Sequence, residues 1–450
     1  MSERKQKARE LAERALEWLR RYRGRIVEHG KTLLIVALFC SACFFADQSG
    51  ILGQGGLAAV REQVVSLFHA GDAGPGVSGV REYAAAARPQ AMTVSPEAGT
   101  RHGAAYHTEV DEMYGRFSVY LGEALGTAGA PVVTNREAWE LALSGTGVFF
   151  DFVEPQSLVC LAVWQGIPMP EDAEDAYARR LFLSVEAGGV ALYYVTDAAG
   201  TVYRCGTAVD ASALESRMGL YQSNNAYFVF EREDAPALDA DTLIVPVADT
   251  VRAVSVTPAA PAGTQEAVLQ LFGMNAITAT SYQEARGTTV YLDGDSTLRM
   301  GTDGVITYER ESGSAPAEMD LRGTAGLPDL TEKLYRLLQE LSGEASECSE
   351  IRLESTGYDP RRDEYTVRFA YFIDGMQVRC APGGMAEFTV SGGVMTRAQI
   401  MLRQYQFTGE TQTPLPAVQA AALVAACGGT DPVRVYQDLG DRVTVSWKME

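Results

Sequence analysis

The chain has 450 residues and a formal net charge of −20, with 46 % hydrophobic and 9 % aromatic residues. That length allows two to three domains with real cores, and an acidic balance of this size is not built to hold nucleic acid or an anionic membrane surface. Of the seven cysteines, Cys40 and Cys43 fall in an apolar run. The other five, Cys160, Cys205, Cys348, Cys380 and Cys427, are an odd set with no short paired spacing. A disulfide framework is therefore not indicated; they read as apolar core residues, with a single pair such as Cys160–Cys205 left open.

The charge is unevenly spread. Residues 1–31 carry ten Lys/Arg against five Glu, so the remainder is near −25. Within this basic arm Ala8, Leu11, Ala15, Trp18, Leu19 and Tyr22 recur at helical spacing. The pattern predicts an amphipathic helix on the cytoplasmic leaflet, a reading preferred to a specific partner helix. Thr32–Ala46 then runs fifteen residues without a charge. A bilayer core needs about 20 apolar helical residues, so residues 32–52 span one if Lys31 snorkels and Gln48–Leu52 continue the helix. The basic side stays in the cytoplasm, which places the protein in the cell membrane as a single-pass chain with its C-terminal region outside. The long basic region and Phe44-Phe45 argue for an uncleaved anchor over a signal peptide. A lipoprotein signal at Cys43 would need a different residue at Cys40. Ala37, Ser41, Ala42 and Ala46 offer a face of small residues for close contact with another membrane helix.

Residues 53–106 predict a juxtamembrane helix, with Leu57, Val60, Val64, Leu67 and Phe68 on one face, and then a Gly/Ala/Pro/Ser-rich linker. The outer region reads as α+β, a three-part array of antiparallel meanders packed with helices. The first unit, 107–232, opens on a helix capped by Thr108, with Met113, Phe117, Tyr120, Leu121 and Leu125 inward. Thr134-Asn-Arg-Glu137 is a capping box for a second helix through Leu143. Strands are expected at Val148–Val153, Leu158–Trp164, Leu181–Val185, Ala191–Val195 and Val202–Cys205, a helix from Asp210 to Met218, and a last strand at Ala226–Glu231. The second unit, 239–312, has a strand at Leu243–Val247, a helix at Thr264–Phe272 and a meander turning at Asp293-Gly294 and Asp303-Gly304. The third, 328–450, opens on a helix at Leu330–Leu341 with Asp329 as N-cap and Gly343 as its end. Strands with an Asp374-Gly375 turn follow, then a helix after Pro416 that stops at Gly428-Gly429, and a closing hairpin.

Enzyme motifs are missing: no phosphate loop, nucleophile elbow or zinc-protease helix is present. His102 and His107 near Glu109, Asp111 and Glu112 have poor metal-ligand spacing and read as the acidic first turn of a helix. Asp293-Gly-Asp295-Ser-Thr297 lacks the glycine and glutamate of a calcium loop and reads as a turn. Asp172, Glu174 and Asp175 read as a solvated loop. No catalytic, cofactor-binding or metal residue is assigned.

From about Glu109 onward the chain resembles the YycH family, membrane-anchored accessory proteins of the YycG/WalK sensor histidine kinase, with YycI-like features in its C-terminal part. The residues that carry the resemblance are Leu271-Phe272, the run Thr288-Thr-Val-Tyr-Leu-Asp-Gly-Asp-Ser-Thr-Leu-Arg-Met300, Gly304-Val-Ile-Thr-Tyr308, and Tyr365-Thr-Val-Arg-Phe-Ala-Tyr-Phe-Ile-Asp-Gly-Met-Gln-Val378. The chain departs from the family at Met376-Gln377, where a proline is usual before the valine. The resemblance implies a non-enzymatic regulator of a two-component kinase in cell-wall metabolism. It implies contact with the kinase through the membrane helix, a YycI-like single-span partner, and no catalytic residues or cofactor. The competing expectation is an extracytoplasmic peptide or wall-fragment binding module unrelated to a kinase. A partly apolar pocket with convergent polar groups would favour that reading.

Overall fold

The structure, a computed structural model, describes residues 86–449 apart from 170–174, 197–199, 234–236, 247–249, 312–325, 344–345, 347 and 381–383. The expected arm (1–31), span (32–52) and juxtamembrane helix, and with them Ala37, Ser41, Ala42 and Ala46, lie outside the described residues. Among the described residues no helix is long and apolar enough to cross a membrane. All of them belong to one unit, Arg81–Glu450.

The chain enters as a hairpin of β1 (Pro89–Glu97) and β2 (Thr100–Ala105), followed by α1 (Thr108–Thr127), β3 (Val132–Thr134), α2 (Arg136–Leu143), β4 (Gly147–Ser157) and α3 (Leu158–Trp164). The meander β5 (Tyr177–Glu186), β6 (Gly189–Thr196) and β7 (Thr201–Gly206) precedes α4 (Ala211–Met218). The seven strands form an antiparallel sheet in the order β2-β1-β4-β5-β6-β7-β3.

Residues 89–105, expected as linker, are thus two strands of the first sheet. Their small residues answer a packing demand: a Cβ on Gly103 would stand 2.5 Å from that of Ala226. β1 is interior to the sheet and buried on both faces from Pro89 to Ser95, so it shows no alternation. Leu158–Trp164, expected as a strand, is helical. Its seven apolar residues cannot be assigned by periodicity, and the Ser157 hydroxyl accepts from the Cys160 N–H (3.0 Å) as an N-cap. The cap of α1 is His107, whose Nδ1 accepts from the Glu109 N–H, and that of α2 is Asn135, one residue from each expected position.

A two-strand pair, β8 (Tyr227–Phe228) with β9 (Leu243–Ile244), leads to β10 (Val251–Pro258) and α5 (Gln265–Leu271). Then come β11 (Thr280–Gln283), β12 (Thr289–Asp293), β13 (Ser296–Met300), β14 (Val305–Arg310), α6 (Leu327–Ser342), β15 (Glu350–Asp359), β16 (Glu364–Ile373) and β17 (Met376–Cys380). The chain ends with β18 (Ala386–Ser391), β19 (Val394–Met401), β20 (Arg403–Gln412), α7 (Ala417–Ala426), β21 (Pro432–Asp438) and β22 (Val443–Met449). Ten of these strands follow the order β11-β12-β13-β14-β19-β18-β16-β17-β21-β22, β15 pairs with β16, and β10 forms a ribbon with β20. The ranges read as second and third units therefore share one eleven-stranded sheet, joined where β14 pairs with β19 (Val305 opposite Met401). Only the β17–β21 pairing in it is parallel. The N-cap of helix α6 is Gly326, with Pro328 in the first turn, three residues before the expected Asp329 cap.

One buried apolar cluster runs from Met92, Phe117 and Phe150 through Leu334 and Phe369 to Tyr405, so both sheets share a core. A second cluster, built on Trp139, Phe149, Phe182 and Phe228, covers the other face of the first sheet. Close packing between β4 and β5 yields a test. A Cβ on Gly147 would collide with the Leu183 carbonyl oxygen and the Phe182 ring, whereas one on Gly188 meets nothing within 4 Å. Gly147→Ala is expected to lower unfolding free energy by about 1–3 kcal/mol and Gly188→Ala to leave it nearly unchanged, as read by urea denaturation.

Candidate functional site

The two sheets meet where β2 ends against β21 and β22, over a buried group of charges. Arg180 stands opposite Asp151 on adjacent strands, and the β5 register shifts between Ala178 and Arg180. Consecutive strand residues ordinarily point to opposite faces; this irregularity lets both Arg179 and Arg180 reach the same carboxylate. Asp431 Oδ2 accepts from Arg179 Nη2 (2.6 Å) and Arg180 Nη2 (2.8 Å). Asp151 takes Arg179 Nε (2.8 Å), and Asp241 takes Arg180 Nη1 (2.9 Å), Arg136 Nη2 (2.6 Å) and the Trp139 indole N–H (3.0 Å). Asp151, Arg180, Asp241 and Asp431 are all buried. The Asp239 N–H also donates to the Thr430 carbonyl (2.9 Å), so the segments around 240 and 430 are held together on the first sheet.

Burial pushes the Asp151 carboxyl above its ordinary range; Arg179 and Arg180 pull it back and Asp431 adds to the rise. Burial also opposes the charge of Asp241, but Arg180, Arg136 and the Trp139 hydrogen bond outweigh it and its value is lowered. The group is a matched set of ions, each carboxylate held by at least one guanidinium.

Above it stands Tyr106, the residue after β2, with φ of +54°. A bulky side chain in the left-handed region is strained and persists only when its surroundings fix it. Here the Tyr106 hydroxyl donates to the Pro432 carbonyl (3.0 Å), its own carbonyl accepts from Arg434 Nη2 (3.2 Å), and its ring meets Trp447 edge-on at 6.0 Å. Burial, reinforced by Asp431 and Asp151, raises its hydroxyl above the usual tyrosine range. Tyr106 also lines a cleft of about 250 Å³. Its walls are the backbone of Gly103–Ala105, the segments 243–245 and 413–417, and the side chains of Arg434 and Trp447, with Glu109 at one side.

The residues considered from sequence fall elsewhere or into structural roles. His102 bridges the Gln222 carbonyl (2.8 Å) and Glu109 (2.9 Å), and Asp111 pairs with Arg352 (2.6 Å). Asp293 holds the Asn275 N–H (2.7 Å) and the Thr278 hydroxyl (3.1 Å). Asp175 accepts from the Ser157 hydroxyl (2.6 Å) and the Val159 N–H (3.2 Å) at the start of α3, while Asp172 and Glu174 lie outside the described residues. No group of three His, Cys, Asp or Glu is placed to hold a metal ion among the described residues. Cys160, Cys205, Cys348, Cys380 and Cys427 are all free thiols. Burial pushes Cys160 up to about 12 and Cys380 up to about 11, so both are protonated at neutral pH. The junction residues Asp151, Arg180, Asp241, Asp431, Tyr106 and Trp447 were not singled out by sequence. The usable signal was Arg179-Arg180 opening an otherwise apolar strand, since buried arginines need partners.

The architecture defines the class of protein first: a mixed α+β domain of largely antiparallel sheets, with seven helices among the described residues. Among solved structures it is similar to the crystal structure of YycH from Bacillus subtilis. The TM-score is 0.54 at 10 % identity, over 83 % of this chain and 96 % of that one. The fold is YycH-like. No family model and no curated protein matches the sequence.

The ion group sets two expectations. Asp431→Ala leaves the buried Arg180 and the half-buried Arg179 each short of a partner and should cost about 3–5 kcal/mol, read by urea unfolding. For pH, the raised value of Asp151 means the native state holds that proton more tightly than the unfolded chain. Its contribution is therefore fully present below the ordinary carboxylate range and is lost as pH rises through the raised value. Asp151→Asn should remove this falling component from a stability profile that runs upward in pH from below the ordinary carboxylate range. An unchanged profile would contradict the assignment.

Proposed function

We propose that the chain is a membrane-anchored, non-enzymatic regulator of a two-component sensor histidine kinase that controls cell-wall metabolism. The observation that carries this reading is the YycH-like fold over 96 % of the length of that structure. Two sequence features support it: the order basic arm, apolar Thr32–Ala46, acidic remainder, and the family resemblance in the strands from Thr288 to Val378. The N-terminus lies in the cytoplasm and the described domain outside.

Regulation requires that the chain bind one kinase conformation better than another; equal affinity for both shifts nothing. The apolar segment supplies that contact within the membrane, with Ala37, Ser41, Ala42 and Ala46 allowing close approach of a kinase helix. The outer domain engages a second, YycI-like single-span protein. No cofactor is part of this mechanism.

The test is co-purification of the tagged full-length chain from its own membranes, repeated with Thr32–Ala46 replaced by an unrelated span. A histidine kinase and a single-span protein are expected with the native chain, with the kinase lost on replacement. Absence of any kinase with the native span would remove the proposal.

A further inference from the structure

The cleft beside Tyr106 has a strand edge as one wall. β2 is the last strand of its sheet, and its pairing alternates. The Tyr106 N–H turns inward to the Gln90 carbonyl (2.9 Å), so Arg101, Gly103 and Ala105 present their backbone groups outward. Two of those positions are already paired by a short stretch of the chain itself. The Asn224 N–H donates to the Arg101 carbonyl (3.1 Å), and the Asn224 side-chain amide both accepts from the Gly103 N–H (2.9 Å) and donates to its carbonyl (2.7 Å). At Ala105, the next position, no described protein group takes the outward N–H or C=O, and this residue lines the cleft.

We propose that the cleft is a binding site for an extended, non-acidic peptide segment that continues the edge of β2 at Ala105, in line with Asn224. Strand addition supplies main-chain hydrogen bonds, and flanking pockets select side chains. Leu243, Ile244, Pro414 and Leu415 form an apolar wall for one side chain. The charge offered to a ligand is negative. The chain beyond residue 31 is near −25, and Glu109 borders the cleft with its side chain 45 % exposed and Oε1 against His102 Nε2 (2.9 Å), while the Arg434 guanidinium donates to the Tyr106 carbonyl and lies near the Tyr106 and Trp447 rings. At about 250 Å³ the cavity is smaller than a typical small-molecule pocket of about 300–1,000 Å³, which suits part of an extended chain. The proposal is independent of the kinase reading.

The test measures binding of the full-length chain to an arrayed set of acetylated pentapeptide amides with Val or Ile at alternate positions and Lys, Ser or Glu between. Saturable binding of Lys and Ser peptides is expected, with Glu peptides at least about tenfold weaker, a difference of about 1.4 kcal/mol. Ala105→Pro deletes the outward N–H and leaves the β1–β2 ladder intact, because that N–H does not point at β1; it should weaken binding about tenfold or more. Glu109→Lys, at a half-exposed position, should turn the preference toward Glu peptides and serves if the proline variant does not fold. No binding by any peptide, or binding that folded Ala105→Pro and Glu109→Lys variants both leave unchanged, overturns the proposal.

Discussion

The junction of the two sheets depends on three buried carboxylates, Asp151, Asp241 and Asp431, held by the buried Arg180 and the half-buried Arg179. Burying an ion costs several kcal/mol unless its partner is equally buried and well placed, so the partners must arrive together. Arg179 and Asp431 meet across 252 residues of chain. Once they have met, the segment that follows α7 is fixed on the first sheet, and Pro432 and Arg434 are carried against Tyr106. The strained Tyr106 is affordable only because that surface holds it at hydroxyl, carbonyl and ring. The cleft is a consequence: its walls come from β2, β9 and the 413–417 and 432–447 regions, which only the ion group and the shared core bring side by side.

What could be read from the sequence was local. Asp210 caps α4 through the Ser212 N–H (2.9 Å), and Thr264 caps α5 through the Ala267 N–H (3.2 Å), because a capping side chain reaches only two or three residues. Asp374 and Gly375 both adopt positive φ in the turn from β16 to β17, as the Asp-Gly pair suggests. What could not be read was decided at long range. The small residues of β1 and β2 mimic a linker until Ala226 is seen against Gly103. The pairing of β14 with β19, in the middle of the larger sheet, follows from no turn. The partners of Arg179 and Arg180 are spread over three regions of sequence, so the pair signals a need for carboxylates without naming them.

The proposed function rests on contact rather than on chemistry at the junction. The described carboxylates at the junction are matched to arginines, and the buried thiols are held protonated. The proposed regulatory action lies in the apolar N-terminal segment, and the described domain contributes a frame with a strand edge beside a cleft.

The most direct measurement is the autophosphorylation rate of the co-purified histidine kinase reconstituted in lipid, with the full-length chain, without it, and with the Thr32–Ala46 segment replaced. The account predicts a change of rate on adding the native chain and its disappearance with the replaced segment. A rate that is the same in all three preparations would contradict it.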